Sequence, residues 1–179
     1  MTGPEASCPE LFVQPGESHL VRGRAILRTL LGSCVGVTFW HPRLEIGALC
    51  HPMLPHCSGR HADQPPDLGR RYVDFAISDL ASQFRALGAR PEETEVKLFG
   101  GADVLMGSNG AGRRTVGSLN GEAALRCLRS EGFRIAASRL GGLSGVHLTF
   151  LTETGEVRVR PLEPTGAPRR AVTSRQCSR

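Results

Sequence analysis

The sequence predicts one α+β domain, in the broad sense an α/β protein, with mixed or antiparallel sheets. Apolar residues recur at every second position in short runs bounded by glycine or proline, such as 35–39 and 146–151, which is typical of strands. Only two longer stretches, near 71–87 and 118–130, show helical spacing. The 179 residues are enough for one domain that buries a core without disulfide staples.

The N-terminal part is predicted to pass from an irregular segment into strands. Residues 1–18 are rich in Pro, Gly, Glu and Ser, with residues 11–13 as a candidate anchor. Residues 19–31 mix arginine with Val, Ile and Leu and predict one or two strands. The stretch 34–51 predicts a β-hairpin. The long proline-rich loop that follows, residues 52–69, is of a kind that is often functional.

The C-terminal part predicts two helices and four further strands. The first helix spans 71–87 and stops at Gly88. The second is capped by Ser118 or Asn120 and ends near Ser130. The predicted strands are 95–99, 133–140, 146–151 and 157–161.

The domain is predicted to span residues 19–163. It lies between the irregular segment 1–18 and a disordered tail rich in arginine and proline, 164–179. The glycine pairs 100–101 and 141–142 are interpreted as tight turns rather than ligand-binding loops. No Gly-x-Gly-x-x-Gly or phosphate-loop motif supports nucleotide binding.

The composition predicts a cytoplasmic protein. The first 18 residues lack the apolar region of a signal peptide, and no run of about 18 apolar residues predicts a membrane span. The six cysteines are scattered without a framework spacing and are predicted to be reduced thiols. The net charge is +5, but Lys97 is the only lysine, and a coding bias explains the excess of arginine as well as a function does.

The hairpin brings a cysteine and a histidine together. If residues 41–44 form its loop, Trp40 pairs with Glu45 and Cys34 lies opposite His51. Directly opposed residues point to the same face, with Cβ atoms roughly 4.5–5.5 Å apart. The other face is then wholly apolar, as a core face should be.

Cys34 and His51 are therefore predicted to be a nucleophile and its base. A thiolate is the reactive form of cysteine, and an adjacent imidazolium is expected to lower the pKa of the thiol. Backbone N–H groups near Gly32 and Ser33 could stabilise an oxyanion, because glycine lets a substrate approach. Such chemistry needs no metal or organic cofactor.

A structural zinc site is an alternative use of the same region. Cys50, His51, His56, Cys57 and His61 form a dense group of thiols and imidazoles. The group lacks the short Cys-x₂-Cys spacing, and the predicted pairing turns Cys50 and His51 to opposite faces.

Nucleic-acid binding is disfavoured. Aromatic residues make up only 5% of the chain, so few side chains can stack on bases. The basic tail is interpreted as solvated, and its arginines are Arg169, Arg170, Arg175 and Arg179.

The order and spacing of several short motifs resemble the CheD family of chemoreceptor glutamine deamidases over about residues 20–160. The motifs are Leu-Gly-Ser-Cys-Val at 31–35, Gly-Ala-Leu-Cys-His-Pro-Met-Leu-Pro at 47–55, Arg-Tyr at 71–72, Lys-Leu-Phe-Gly-Gly-Ala at 97–102, Val-Gly-Ser-Leu-Asn at 116–120 and Leu-Gly-Gly at 140–142.

The resemblance implies an enzyme that hydrolyses glutamine side chains of methyl-accepting chemotaxis receptors to glutamate, with release of ammonia. It implies a catalytic cysteine at Cys34, a histidine at His51 and a threonine upstream, for which Thr29 is the candidate. It also implies a layered α-β-β-α fold and, for some members, binding of the CheC phosphatase.

The chain differs from the family pattern at three positions. Arg28 stands where the threonine often lies, six residues before the cysteine, and Thr29 follows it. Arg139 replaces an aspartate, and Val146 stands where a basic residue is usual. These differences motivate an alternative function, a weakly active or inactive module that docks receptors or a CheC-like phosphatase.

Overall fold

The computed structural model describes residues 8–57, 65–103 and 114–162, which form two β-sheets and two long helices. The predicted tail, residues 164–179, and His61 lie outside the described residues. The boundaries of the predicted domain therefore stay a prediction.

From β2 onward the strands and the two long helices follow the predicted order, whereas β1 and the short helix α1 lie in segments predicted to be irregular or loop. The described residues form β1 (Glu10–Phe12), β2 (Ser18–Arg22), β3 (Ile26–Leu31), β4 (Val35–His41), β5 (Ile46–Cys50), β6 (Glu95–Gly100), β7 (Ile135–Leu140), β8 (Val146–Leu151) and β9 (Val157–Pro161), with helices α1 (Pro66–Gly69), α2 (Val73–Ala86) and α3 (Val116–Ser130). None of these helices is long and apolar enough to cross a bilayer.

Both sheets are mixed, which confirms the predicted α+β class. The four-stranded sheet has the order β1-β3-β8-β9, and only β1 and β3 run parallel. The five-stranded sheet has the order β2-β5-β4-β6-β7, and only β6 and β7 run parallel.

Two apolar cores hold these layers together. One core lies between the five-stranded sheet and helices α2 and α3, where Phe39 packs against Phe84 and Phe133. The second lies between the two sheets and is built from side chains such as Leu27 and Phe150. Both long helices lie on the five-stranded sheet, so the described residues supply one helical layer and two sheets of the implied α-β-β-α arrangement.

The predicted register of the hairpin is wrong by two residues. His41 pairs with Ile46 and Val37 with Cys50, so the loop consists of residues 42–45 and Gly36, not Cys34, lies level with His51. A 3-10 turn at Pro42–Leu44 closes the hairpin, because proline starts the turn and the imidazole of His41 accepts from N of Leu44 at 3.3 Å. A shift of two residues keeps each side chain on its predicted face.

The segment predicted to be irregular contains a strand. Glu10–Phe12 forms β1 and pairs in parallel with residues 26–28 of β3. Val13, directly after it, is completely buried between the sheets. The short apolar run 11–13 provides this burial, although three residues are too few for a clear periodic signal.

Helix α3 begins earlier than predicted. Thr115 is its N-cap and forms a capping box with Ser118, so Ser118 lies inside the first turn. Asn120, the other predicted cap, is a buried residue of the second turn.

Candidate active site

A buried pair of side chains, Thr29 and His51, joins the two sheets. Thr29 points inward from β3, between Leu27 and Leu31, and is fully buried. His51 directly follows β5 in the other sheet and is only 1% exposed. Oγ1 of Thr29 lies 2.7 Å from Nδ1 of His51. This hydrogen bond fixes the orientation of the imidazole ring.

The hydrogen bonds of Thr29 decide which nitrogen of His51 carries the proton. Oγ1 of Thr29 donates its single proton to O of Val13 at 2.7 Å, so it accepts from Nδ1 of His51. Nε2 of His51 then keeps a free lone pair, and this buried atom has no hydrogen-bond partner among the described residues. The ring therefore offers a proton acceptor, which a general base requires.

The N-terminal segment holds the backbone of His51. N of His51 donates to O of Glu17 at 2.9 Å, and N of Gly16 donates to O of His51 at 2.7 Å. Gly16 has φ of +85°, a left-handed conformation that favours glycine. This segment thus makes two backbone hydrogen bonds to His51, and its Val13 carbonyl holds the hydroxyl of Thr29 that bonds the imidazole.

The loop that carries Cys34 is anchored by its carbonyl groups. O of Gly32 accepts from N of Ala102 at 2.8 Å, and O of Cys34 accepts from N of Gly101 at 2.7 Å. O of Ser33 accepts from Nδ2 of Asn120 at 2.9 Å. Three consecutive carbonyls of this loop are thus bonded to the end of β6 and to helix α3.

Glycines at the end of β6 permit this close packing. Gly100 and Gly101 have φ of +98° and +66°. A Cβ atom at Gly100 would overlap the carbonyl oxygen of Cys34. This glycine pair, which is predicted from the sequence to be a tight turn, supports the Cys34 loop at the end of β6.

Cys34 and His51 lie in neighbouring segments. N of Val35 donates to O of Pro52 at 3.3 Å, which continues the register of the β4–β5 ladder. In that register Gly36 lies opposite His51, and Cys34 is two residues further along. Diagonal neighbours across an antiparallel pair are roughly 7–8 Å apart. The predicted hydrogen-bond contact between the Cys34 thiol and Nε2 of His51 is not formed in this structure.

Burial favours the uncharged forms of both groups. It raises the pKa of the half-buried Cys34 thiol, and the opposing effect of the residue's own backbone N–H is smaller. It lowers the pKa of His51, against smaller effects of the Val13 carbonyl and the Glu17 carboxylate. The expectation that an imidazolium lowers the pKa of this thiol is therefore wrong for this structure.

Thr29, rather than Arg28, occupies the interior of the site. Arg28 points outward from β3 and forms an ion pair with Glu10 at 3.0 Å. Strand alternation places the next side chain, Thr29, inside. The shift of the threonine by one position relative to the family pattern thus still delivers a hydroxyl to His51.

The described residues of the alternative zinc site, which exclude His61, do not come together as a set of metal ligands. Cys50 faces the helical core, where burial raises its pKa to about 12. His56 lies 3.4 Å from Asp74, on the outer side of that core. Across the described ranges, no group of three or more His, Cys, Asp or Glu side chains is arranged to hold a metal ion.

Two contributions to the site are missed by sequence reasoning. The contacts of residues 13, 16 and 17 involve backbone atoms, which every residue type can supply. Asn120 is a polar residue in a helix, and its sequence position favours a cap over a buried bridge. Its place in the Val-Gly-Ser-Leu-Asn motif was the one available signal.

The fold and the site define a class of protein. It is an α+β domain of two packed sheets. A half-buried cysteine and a buried histidine lie in neighbouring segments. Cysteine-dependent hydrolases use these two residue types. Residues 53–161 match the family described as CheD chemotactic sensory transduction.

Curated relatives extend the match to almost the whole chain. The chain is 38% identical over 167 residues, 93% of its length and 99% of the relative's, to a probable chemoreceptor glutamine deamidase CheD 2 of Geobacter sulfurreducens. It is 35% identical to the probable chemoreceptor glutamine deamidase CheD 2 of Albidiferax ferrireducens, over 88% of this chain and 90% of the relative. It is 40% identical to the probable chemoreceptor glutamine deamidase CheD of Pseudomonas syringae pv. syringae, over 86% of each chain. The protein belongs to the CheD family.

Proposed function

We propose that this chain is a cytoplasmic protein-glutamine deamidase that converts specific glutamine side chains of methyl-accepting chemotaxis receptors to glutamate and releases ammonia. It is a hydrolase that acts on side-chain amides, as the names of its relatives indicate for them. The observation that carries the proposal is the Thr29–His51 hydrogen bond, which leaves Nε2 of His51 free in the segment beside Cys34.

The first half of the reaction forms a thioester. Nε2 of His51 takes the proton of the Cys34 thiol while the sulfur attacks the carbonyl carbon of the glutamine side chain. The tetrahedral oxyanion then collapses as the imidazolium returns the proton to the amide nitrogen, which leaves as ammonia. Since thiol and imidazole start uncharged, charge develops only during attack on a bound substrate.

The second half consumes one water molecule. His51 takes a proton from the water, which attacks the thioester carbonyl, and the Cys34 sulfur leaves and recovers that proton. Each turnover thus converts one glutamine and one water into one glutamate and one ammonia.

Backbone N–H groups of Gly32, Ser33 and Cys34 supply the oxyanion site in this proposal. The carbonyls of Gly32 and Ser33 are held by partners, which fixes the peptide planes that carry the N–H groups of Ser33 and Cys34. The backbone N–H of Cys34 lowers the pKa of its own thiol, although burial raises that pKa by more. Removal of a single oxyanion donor costs about 3–4 kcal/mol in comparable sites.

Intact-mass measurement tests the function directly. Cytoplasmic fragments of methyl-accepting chemotaxis receptors from the same organism are incubated with the wild-type protein and weighed by mass spectrometry. Replacement of an amide by an acid adds about 1 Da per glutamine, and peptide mapping locates the sites. We expect a time-dependent gain with equimolar ammonia; receptor fragments that keep every glutamine would refute the proposal.

A second candidate function is supported by a groove between the ends of the sheets. Its volume is about 360 Å³, and its lining includes Arg139 and Val146, two of the three departures from the family pattern. Leu143 is also part of the lining and is 73% exposed. Arginine is enriched in protein interfaces, so a groove lined by Arg139 is suited to binding a protein partner. In this alternative the chain docks a receptor or a CheC-like phosphatase without efficient chemistry, and receptor binding with no mass gain would support it.

Replacement of Thr29 is expected to slow the reaction without blocking substrate binding. Thr29→Val keeps the shape but removes the acceptor of the Nδ1 proton, so His51 loses its fixed tautomer. We expect kcat to fall about 10- to 100-fold, or about 1.4–2.8 kcal/mol in activation free energy, with KM little changed. Thr29→Ser keeps the hydroxyl and is the matched control; equal kcat for the two variants would contradict the role of Thr29.

A further inference from the structure

Asn120 connects helix α3 to two backbone segments of the candidate site. Its side chain is completely buried. Nδ2 donates to O of Ser33 at 2.9 Å and to O of Met53 at 2.8 Å. Both partners are carbonyl oxygens, which only accept, so the orientation of the amide is unambiguous and both of its protons are used.

The two bonded carbonyls flank the proposed nucleophile and base. Ser33 directly precedes Cys34, and Met53 is two residues after His51. The regular pairing of β4 with β5 ends at Val37 and Cys50, so these segments lie beyond the ladder. They share one long backbone hydrogen bond, from Val35 to Pro52 at 3.3 Å, and the bridge made by Asn120.

Helix α3 reaches this position through a contact between glycines. A Cβ atom at Gly117 would lie 2.5 Å from O of Gly101 and 2.8 Å from O of Ala102. Without a side chain at Gly117, the first turn of the helix packs directly on the segment that also holds the Cys34 loop. Asn120, one turn later, is thereby brought within hydrogen-bond distance of Ser33.

The amide of Asn120 satisfies two backbone carbonyls but leaves one of its own atoms without a partner among the described residues. Its Oδ1 atom is buried with no hydrogen-bond partner among the described residues, which costs free energy. An apolar side chain of the same branched shape would avoid that cost, but it would leave both carbonyls without their donor. The amide is thus suited to holding two segments in one geometry.

We propose that Asn120 is a positioning residue of the active site, which sets the placement of Cys34 relative to His51 by clamping the carbonyls of Ser33 and Met53. The catalytic part of this inference rests on the proposed deamidase function. The clamping part does not, because it concerns the environment of the Cys34 thiol in the protein alone.

The test compares Asn120→Leu and Asn120→Ala with Ala124→Gly. Ala124 lies one helical turn further on the same buried face, in the helical core, so its replacement weakens α3 without touching either carbonyl. Circular dichroism and thermal melting establish folding, and the leucine variant fills the site if the alanine variant is too unstable. The rate at which iodoacetamide alkylates Cys34 is measured against pH by peptide mass spectrometry, alongside kcat and KM for receptor fragments.

Loss of the hydrogen bonds from Asn120 is expected to raise the alkylation rate of Cys34 and to lower kcat. A loosened loop exposes the Cys34 thiol, so alkylation at pH 7.5 rises at least threefold and its pH profile shifts to lower pH. Deamidation should lose at least tenfold in kcat, with less than a threefold change in KM, and Ala124→Gly should resemble the wild type in both.

Three results would overturn the inference, and the first can be obtained whether or not the deamidase function is correct. Asn120 variants with the wild-type alkylation profile would show that the amide does not position Cys34. If Ala124→Gly showed the same changes in alkylation and kcat, a weakened helix would be their cause. A fall in both alkylation and kcat would indicate a collapsed loop instead of a loosened one. If no receptor fragment is deamidated by the wild type, the alkylation profile still tests the clamp.

Discussion

Cys34→Ala is expected to abolish deamidation while the protein stays folded. Without the sulfur no thioester can form, and removal of a catalytic nucleophile lowers kcat by about ten-thousand-fold or more. The thiol is only half-buried, and the Cys34 loop is held by its backbone carbonyls, so alanine removes little that the fold needs. The measurement is the mass gain of a receptor fragment together with the melting temperature of the variant.

Cys127→Ala is the matched control for the loss of a thiol. Cys127 is also half-buried, and its pKa is also raised by burial, but it lies on helix α3 beside Asp74 and Ser78. We expect this variant to retain wild-type kcat. A Cys34→Ala protein that still deamidates at a tenth of the wild-type rate would exclude Cys34 as the nucleophile.

The strands and helices could be predicted from the sequence because burial is periodic along the chain. The runs 146–151 and 157–161 coincide with β8 and β9, since alternating side chains are enough to define a strand. The same alternation gave the correct face for each residue of the hairpin. It could not give the register, because a shift of two residues preserves the faces, and the 3-10 turn at Pro42–Leu44 decides between the two pairings.

The side chains of the candidate site could be predicted from the sequence, but the backbone groups that hold them in place could not. Cys34, His51 and Thr29 are chemically distinctive, and a family pattern marks their neighbourhood. The supports are carbonyl and amide groups of the backbone, at Val13, Glu17 and Gly101. Such groups leave no compositional trace, so their contribution follows only from the fold that brings residues 13–17 next to residue 51.

The role of the Asn120 side chain also could not be predicted from the sequence. Asparagine near the start of a helix is favoured as a cap, because its short polar side chain bonds local backbone N–H groups. Here Thr115 takes that role, and the amide bonds carbonyls 87 and 67 residues away in the chain. Only the tertiary packing of Gly117 against Gly101 makes this distant partnership possible.

His51→Asn is expected to reduce kcat about 100- to 10,000-fold and to remove the acid limb of the pH profile. General-base catalysis contributes a factor of this size. Asparagine can retain a donor to Oγ1 of Thr29 in place of Nδ1, but it has no basic nitrogen where Nε2 lies. His147→Ala, on the exposed face of β8, is the matched control for the loss of an imidazole and should behave as the wild type.

The sign of the pH dependence follows from burial. Protonation of Nε2 disables the base, and burial lowers the pKa of His51, so wild-type kcat/KM should fall only at pH values below the ordinary histidine pKa of about 6.5. In His51→Asn the residual rate should instead rise continuously with pH as the thiolate forms, up to the raised pKa of Cys34. An acid limb that survives the substitution would assign proton transfer to another group, and the free lone pair on His51 would then have no part in the chemistry.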